Sequence, residues 1–191
     1  LKAFLYPMER KSEYLECFRQ LQADVAADGY AVKRLHTDSD SVMMSQAFAD
    51  HCSAQQPPIR ITLSSPYCHW QNPTAERFAY TLKNRTICCL QQSGLSESMW
   101  LPAMQFSAYN YNITPSRAVP GNATPFSLWN RGAEPHYGHL RCFGADAYVR
   151  LDKRRSLERR CRKGIFVGYA PRHARGTYMI YVPESHTIVT S

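Results

Sequence analysis

The sequence predicts an α/β layer, then helices, then a small all-β unit. Three observations carry this. Strand-like and helix-like segments alternate over residues 2–63, the mark of a layered α/β arrangement with some parallel pairing. Two longer helical patterns follow, near 73–92 and 97–110. From about Leu140 the chain turns to short runs of β-formers, AYV, GIFVGY, YMIYV and TIV, divided by Gly, Pro and basic residues.

Residues 2–8 (KAFLYPM) read as a strand end. Over 11–28, Tyr14, Leu15, Phe18, Leu21 and Val25 recur at helical spacing, and Gly29 stops the helix. Residues 30–36 read as a short strand through Tyr30, Val32 and Leu35. A turn at 37–41 leaves Ser41 to cap a helix over 42–54. Gln55-Gln56-Pro57-Pro58 breaks that helix, and Ile59 to Leu63 is the next strand. Asn72-Pro73 opens a helix, with Asn as cap and Pro at the first helical position. It runs to about Gln92, ahead of Gly94. In the helix at 97–110, Pro102 either kinks the helix or sits in its first turns. Thr114 to Asn122 is loop, and Thr124-Pro125 starts a short helix through Trp129. In the β unit, Phe143, Tyr148, Ile165, Phe166, Val167, Tyr169, Tyr178, Ile180 and Tyr181 are the expected core. Gly164, Gly168 and Gly176 are expected at turns or bulges.

Length and composition set limits. A chain of 191 residues holds one ordinary domain and a small second one. Its 44% hydrophobic and 20% charged content is that of a globular protein. It has no run of eighteen apolar residues, so no membrane span is expected. Residues 1–7 lack the parts of a signal peptide, and Leu at position 1 suggests a piece of a longer chain. Seven irregularly spaced Cys argue against a secreted disulfide framework and for reduced thiols in cytoplasm or nucleus. No CxxC is present, so a standard zinc finger is unsupported. His136, His139 and Cys142 form an HxxHxxC run whose close spacing needs a distant fourth ligand.

Charge is concentrated. Residues 1–60 carry 7 basic and 8 acidic groups, net −1. Residues 61–140 are net +2, and residues 141–191, with 11 basic and 4 acidic groups, are net +7. A positive field at one end favours a polyanion, most often nucleic acid, although a solvated surface has the same composition.

The stretch Ser64–Arg77, SSPYCHWQNPTAER, sets an aromatic, amide-rich loop before a helix whose first turn holds Glu76. It resembles the S-x-P-Y-x-P-x-x-N-G-x-x-E-R signature of copia-type retrotransposon integrases, which are segments of Pol polyproteins. KRLHTD resembles the strand ending in that family's second metal-binding Asp, here Asp38. SMWLPAMQFSAYNYNITPSRA and TPFSLW resemble the helical stretch after the glutamate. HLRCFGADAYV and RRCRKGIFVGYAPRHARGTYMIYVPESHTIV resemble the SH3-like barrel beyond the core.

The resemblance implies a partial RNase H-like integrase core over 1–112, its first strands missing. A linker with a short helix follows over 113–139, then an SH3-like β-barrel over 140–191. It implies DNA integration by phosphoryl transfer, with two ions roughly 3.5–4 Å apart stabilising the attacking and leaving oxygens. Mg²⁺ or Mn²⁺ would be held by hard oxygen ligands. The catalytic carboxylates carried over are Asp38 and Glu76, with 37 residues between them. In the loop, Tyr67, His69 and Trp70 would stack on bases while Gln71 and Asn72 hydrogen-bond to backbone or base edges. Arg77, Lys83 and Arg85 would neutralise phosphates, as would Lys153, Arg154, Arg155, Arg159 and Arg160. Each has an ordinary alternative: the aromatics pack and the basic groups are solvated. DNA ends and target DNA are the expected partners, with self-association and no membrane.

Three departures stand beside the match. The family's first catalytic Asp has no counterpart, since no Asp precedes Asp24, so this stretch by itself is expected to be inactive. After Asp38 the family's D-N-G-G-E-F becomes DSDSVM, where Asp40 is either a stray charge or a replacement ligand. His69 and Pro73 replace a Pro and a Gly, and Pro73 cannot take the positive φ open to Gly. The alternatives are a non-catalytic nucleic-acid-binding remnant acting through its basic barrel, or a transposon relic without function.

Overall fold

The structure, a computed structural model, describes residues 2–37, 45–64, 72–116, 120–150, 160–171, 173–174 and 176–191. The chain packs as two units, one of residues 6–80 and one of residues 1–5 with 81–191.

In the first unit, helix α1 (Tyr14–Ala27) follows a 3-10 turn at Lys11–Glu13. Its apolar stripe buries Phe18 and Val25. Gly29, at φ +80, ends it in the left-handed region that Gly takes without strain. Helix α2 (Gln46–Ser53) starts later than expected: Ser45, not Ser41, occupies its extended cap position, and its C=O accepts from Ala49 N–H at 3.1 Å. Ser41 lies outside the described residues. Strands β1 (Arg34–Thr37) and β2 (Arg60–Leu63) are shorter than expected and pair in parallel. Phe18, Phe48, Cys52 and Ile59 form the buried core, against which Val32, Leu35 and Ile61 pack.

Helix α3 (Pro73–Ser93) runs as the Asn72-Pro73 start predicts, and Gly94 follows it at φ +67. Helix α4 (Trp100–Ile113) follows a 3-10 turn at Glu97–Met99. Pro102 is its third residue, in the first turn, where no intrahelical N–H bond is lost. Helix α5 (Pro125–Trp129) is capped by buried Thr124, whose Oγ1 accepts from Ser127 N–H at 2.9 Å.

Residues 2–8 form no strand. The Asn112 amide takes the place of a neighbouring strand: Ala3 N–H donates to its Oδ1 at 2.7 Å, and its Nδ2 donates to Ala3 C=O at 2.8 Å. Backbone groups need partners, and a side-chain amide satisfies both.

Strands β3 (Asp146–Arg150), β4 (Cys161–Tyr169), β5 (Tyr178–Val182) and β6 (Thr187–Thr190) form an antiparallel sheet in chain order. Its inner face meets α4: Ala103 and Phe106 pack with Phe143, Phe166 and Val167. Two expectations fail here. Tyr148 is not core; it is 66% exposed, because the register places it on the face opposite Ala147, Phe166 and Ile180. Gly164 marks neither turn nor bulge. It lies inside β4, where a Cβ would stand 2.4 Å from Ile180 Cγ2. The bulge is at Gly168, and Gly176 takes a positive φ of +92.

Candidate functional site

In the first unit, parallel pairing brings two strand ends side by side. His36 pairs with Thr62 and Thr37 with Leu63, and Ser64 N–H donates to Thr37 C=O at 2.9 Å. Asp38 is the next residue after β1, and residues 65–71 follow Ser64 in sequence. This is the carboxyl edge of an α/β layer, where ligands of open sheets usually bind.

A polar chain crosses that edge. His36 Nδ1 lies 2.9 Å from Thr62 Oγ1, and Thr62 Oγ1 donates to Leu35 C=O at 3.2 Å. His36 Nε2 lies 3.4 Å from Ser64 Oγ, so the two ring nitrogens face a hydroxyl on each side. Sequence reading missed this group, because nothing local specifies that residue 36 stands opposite residue 62.

Asp38, Asp40, Tyr67, His69, Trp70 and Gln71 lie outside the described residues. Asn72 is half-buried, and its C=O accepts from Glu76 N–H at 3.2 Å, starting α3. Glu76 is exposed in that first turn, where the helix dipole favours a carboxylate. Arg77 and Lys83 are exposed. Arg85 is half-buried, its guanidinium 5.7 Å from the Tyr111 ring centroid, a packing contact as well as a charge.

The HxxHxxC run holds no metal centre. His139 Nε2 lies 2.6 Å from Tyr109 OH, His136 Nδ1 lies 3.4 Å from His139 Nδ1, and Cys142 is exposed. Among the described residues, no group of three His, Cys, Asp or Glu side chains is placed to hold a metal ion. Burial pushes the Cys52 and Cys89 thiols up from their ordinary range, so neither is a ready nucleophile at neutral pH.

The basic cluster of the second unit is divided between strands and a connection. Arg150 lies on β3, and Arg162 and Lys163 lie on β4, all exposed. Arg160, just before β4, is also exposed. Lys153, Arg154, Arg155 and Arg159 lie outside the described residues. Lys163 Nζ meets Asp146 Oδ2 at 2.8 Å, and that hydrogen bond raises the lysine's pKa, keeping it charged.

Comparison with known proteins shows what this chain is similar to. Residues 145–191 match the retroviral polymerase SH3-like domain. The whole chain aligns with the retrovirus-related Pol polyprotein from transposon TNT 1-94 of Nicotiana tabacum, 28% identical over 194 residues. The chain spans 14% of that polyprotein's length. Among solved structures, one chain of the simian T-cell lymphotropic virus intasome in complex with PP2A regulatory subunit B56 gamma has a TM-score of 0.50 and 17% identity. That match covers 96% of this chain and 63% of the other. The catalytic core domain of BIV integrase gives a TM-score of 0.47 at 22% identity, covering 68% of this chain and 77% of that one. No described helix is long and apolar enough to cross a membrane. Residues 145–191 thus match the retroviral polymerase SH3-like domain, and the chain as a whole is similar to one stretch of a retrovirus-related Pol polyprotein.

Proposed function

We propose that this chain is the integrase-type segment of a copia-type retrotransposon Pol polyprotein, and that it grips DNA through its basic SH3-like unit. The observation that carries this reading is the net +6 of residues 145–191, with 10 basic and 4 acidic groups, the segment that matches the SH3-like domain. Exposed Arg150, Arg160, Arg162 and Lys163 contribute to it. Such groups contact phosphates without reading sequence.

Catalysis belongs to the same reading through Asp38 and Glu76, which would hold Mg²⁺ or Mn²⁺ with a third carboxylate. The described residues do not compose that centre: Glu76 is present in α3, no three-ligand group is, and Asp38 lies outside them. The charge of the C-terminal unit supports binding, and strand transfer would need Asp38, Glu76 and a third carboxylate together. Assembly of several copies on DNA ends belongs to the reading as well.

The test is fluorescence anisotropy with a labelled duplex over a salt series, with Mg²⁺ and with chelator. Affinity should fall steeply and log-linearly with salt, by about one power of the salt concentration for each phosphate contact made. Changing Arg154, Arg155, Arg159 and Arg160 to Ala should flatten that slope. Chelation should leave it unaltered. An affinity indifferent to both salt and these substitutions would sink the reading.

A further inference from the structure

The outer face of the sheet carries an aromatic ring that the fold does not use. Register fixes the membership of that face. Tyr148 stands opposite Lys163, Arg150 opposite Cys161, and Asp146 opposite Ile165. Tyr148 is 66% exposed. An exposed ring on an outer strand, with Arg150, Lys163 and Asp146 beside it on the same face, presents an aromatic surface with net positive charge around it.

The charge narrows the occupant. Asp146 is the acidic residue of this face, and it is engaged by Lys163. Arg150 lies one step along the face from Tyr148. A partner with an acidic backbone and exposed aromatic faces complements both features. In a duplex the base faces are covered by stacking, leaving only edges and phosphates. In a single strand the faces are open, and every base has one to offer a tyrosine.

We propose that this face is a stacking platform for single-stranded nucleic acid. Tyr148 stacks on a base, and Arg150 meets a flanking phosphate. The proposal rests on the nucleic-acid reading above and adds a strand preference to it, through a residue outside the basic connection.

The experiment uses the whole chain and three probes of equal length, roughly 16 nucleotides, the upper end of the single-strand site size of an OB-fold. They are oligothymidylate, a duplex, and an abasic strand with the same phosphates. Tyr148→Ala should weaken oligothymidylate binding by roughly tenfold. It should leave duplex binding within about twofold and the duplex salt slope unaltered. Tyr148→Phe should bind like the parent, because the ring and not the hydroxyl stacks. The abasic strand should bind the parent as weakly as oligothymidylate binds Tyr148→Ala. Matching thermal unfolding of the variants shows that the fold is intact, and the abasic arm needs no variant at all. Equal affinity for abasic and thymidylate strands, or an equal loss on single strand and duplex, would overturn the platform while leaving phosphate binding standing. No binding of any probe by the parent would remove both readings together.

Discussion

A methyl group at position 164 has nowhere to go. Gly164 pairs with Ala147, and its Cβ would lie 2.4 Å from Ile180 Cγ2 and 2.9 Å from the Tyr181 carbonyl oxygen. The isoleucine methyl can rotate aside, but the carbonyl belongs to the β4–β5 ladder. Gly164→Ala should therefore lower stability by roughly 1–3 kcal/mol, the cost of overpacking, read as an earlier urea midpoint. A midpoint equal to the parent's would mean that β5 yields without loss. The same scale separates Tyr148 from its neighbours. The run DAYVR alternates, so its parity was legible, but nothing in five residues says which parity faces the core. That sign is set by α4, more than thirty residues earlier, and a residue expected inside is thereby exposed.

The element that gives the β unit its inner face is α4. Phe106 projects from it into a ring cluster, with centroids 5.4 Å from Phe143, 6.0 Å from Phe166 and 5.9 Å from Tyr169. Removing that ring leaves a cavity among groups that cannot collapse together. Phe106→Ala should cost about 3–5 kcal/mol, measurable by denaturant titration with a cooperative transition retained. A loss under about 1 kcal/mol would show that the sheet holds without α4, against the usual cost of a core cavity. Helices α1, α3, α4 and α5 were legible because apolar spacing, caps and Gly or Pro stops are local signals. The strands were legible in kind and not in extent. A strand exists only where a partner exists: Tyr30 and Val32 precede β1 because the pairing with β2 begins at Arg34↔Arg60.

At the scale of the molecule, charge is the organising quantity. Residues 141–191 carry net +7 against −1 for residues 1–60. A polyanion should therefore protect the chain unevenly. Hydrogen–deuterium exchange of the full chain with heparin should slow amides in peptides from 141–191 and leave those from 1–60 near their free rates, the contrast fading as salt rises. Slowing spread evenly along the chain would contradict a localised phosphate-binding surface. The candidate site was legible to a different degree at its two places. Glu76 was readable because Asn72-Pro73 announces a helix whose first turn it must occupy, and the structure has it there. The His36–Thr62–Ser64 chain was not, because it depends on cross-strand register.

Composition, periodicity and capping chemistry by themselves determined the helices, the switch to a β unit, the placement of positive charge and the helix-start position of Glu76. Each is set by residues within a turn or two of one another, or by simple summation. Only the tertiary structure decided that Ala3 bonds to an asparagine side chain instead of a strand, that Gly164 lies under Ile180, that His36 faces Thr62, and that Tyr148 faces water. These depend on partners brought from elsewhere in the chain. A side chain's period is local, but what it meets is not.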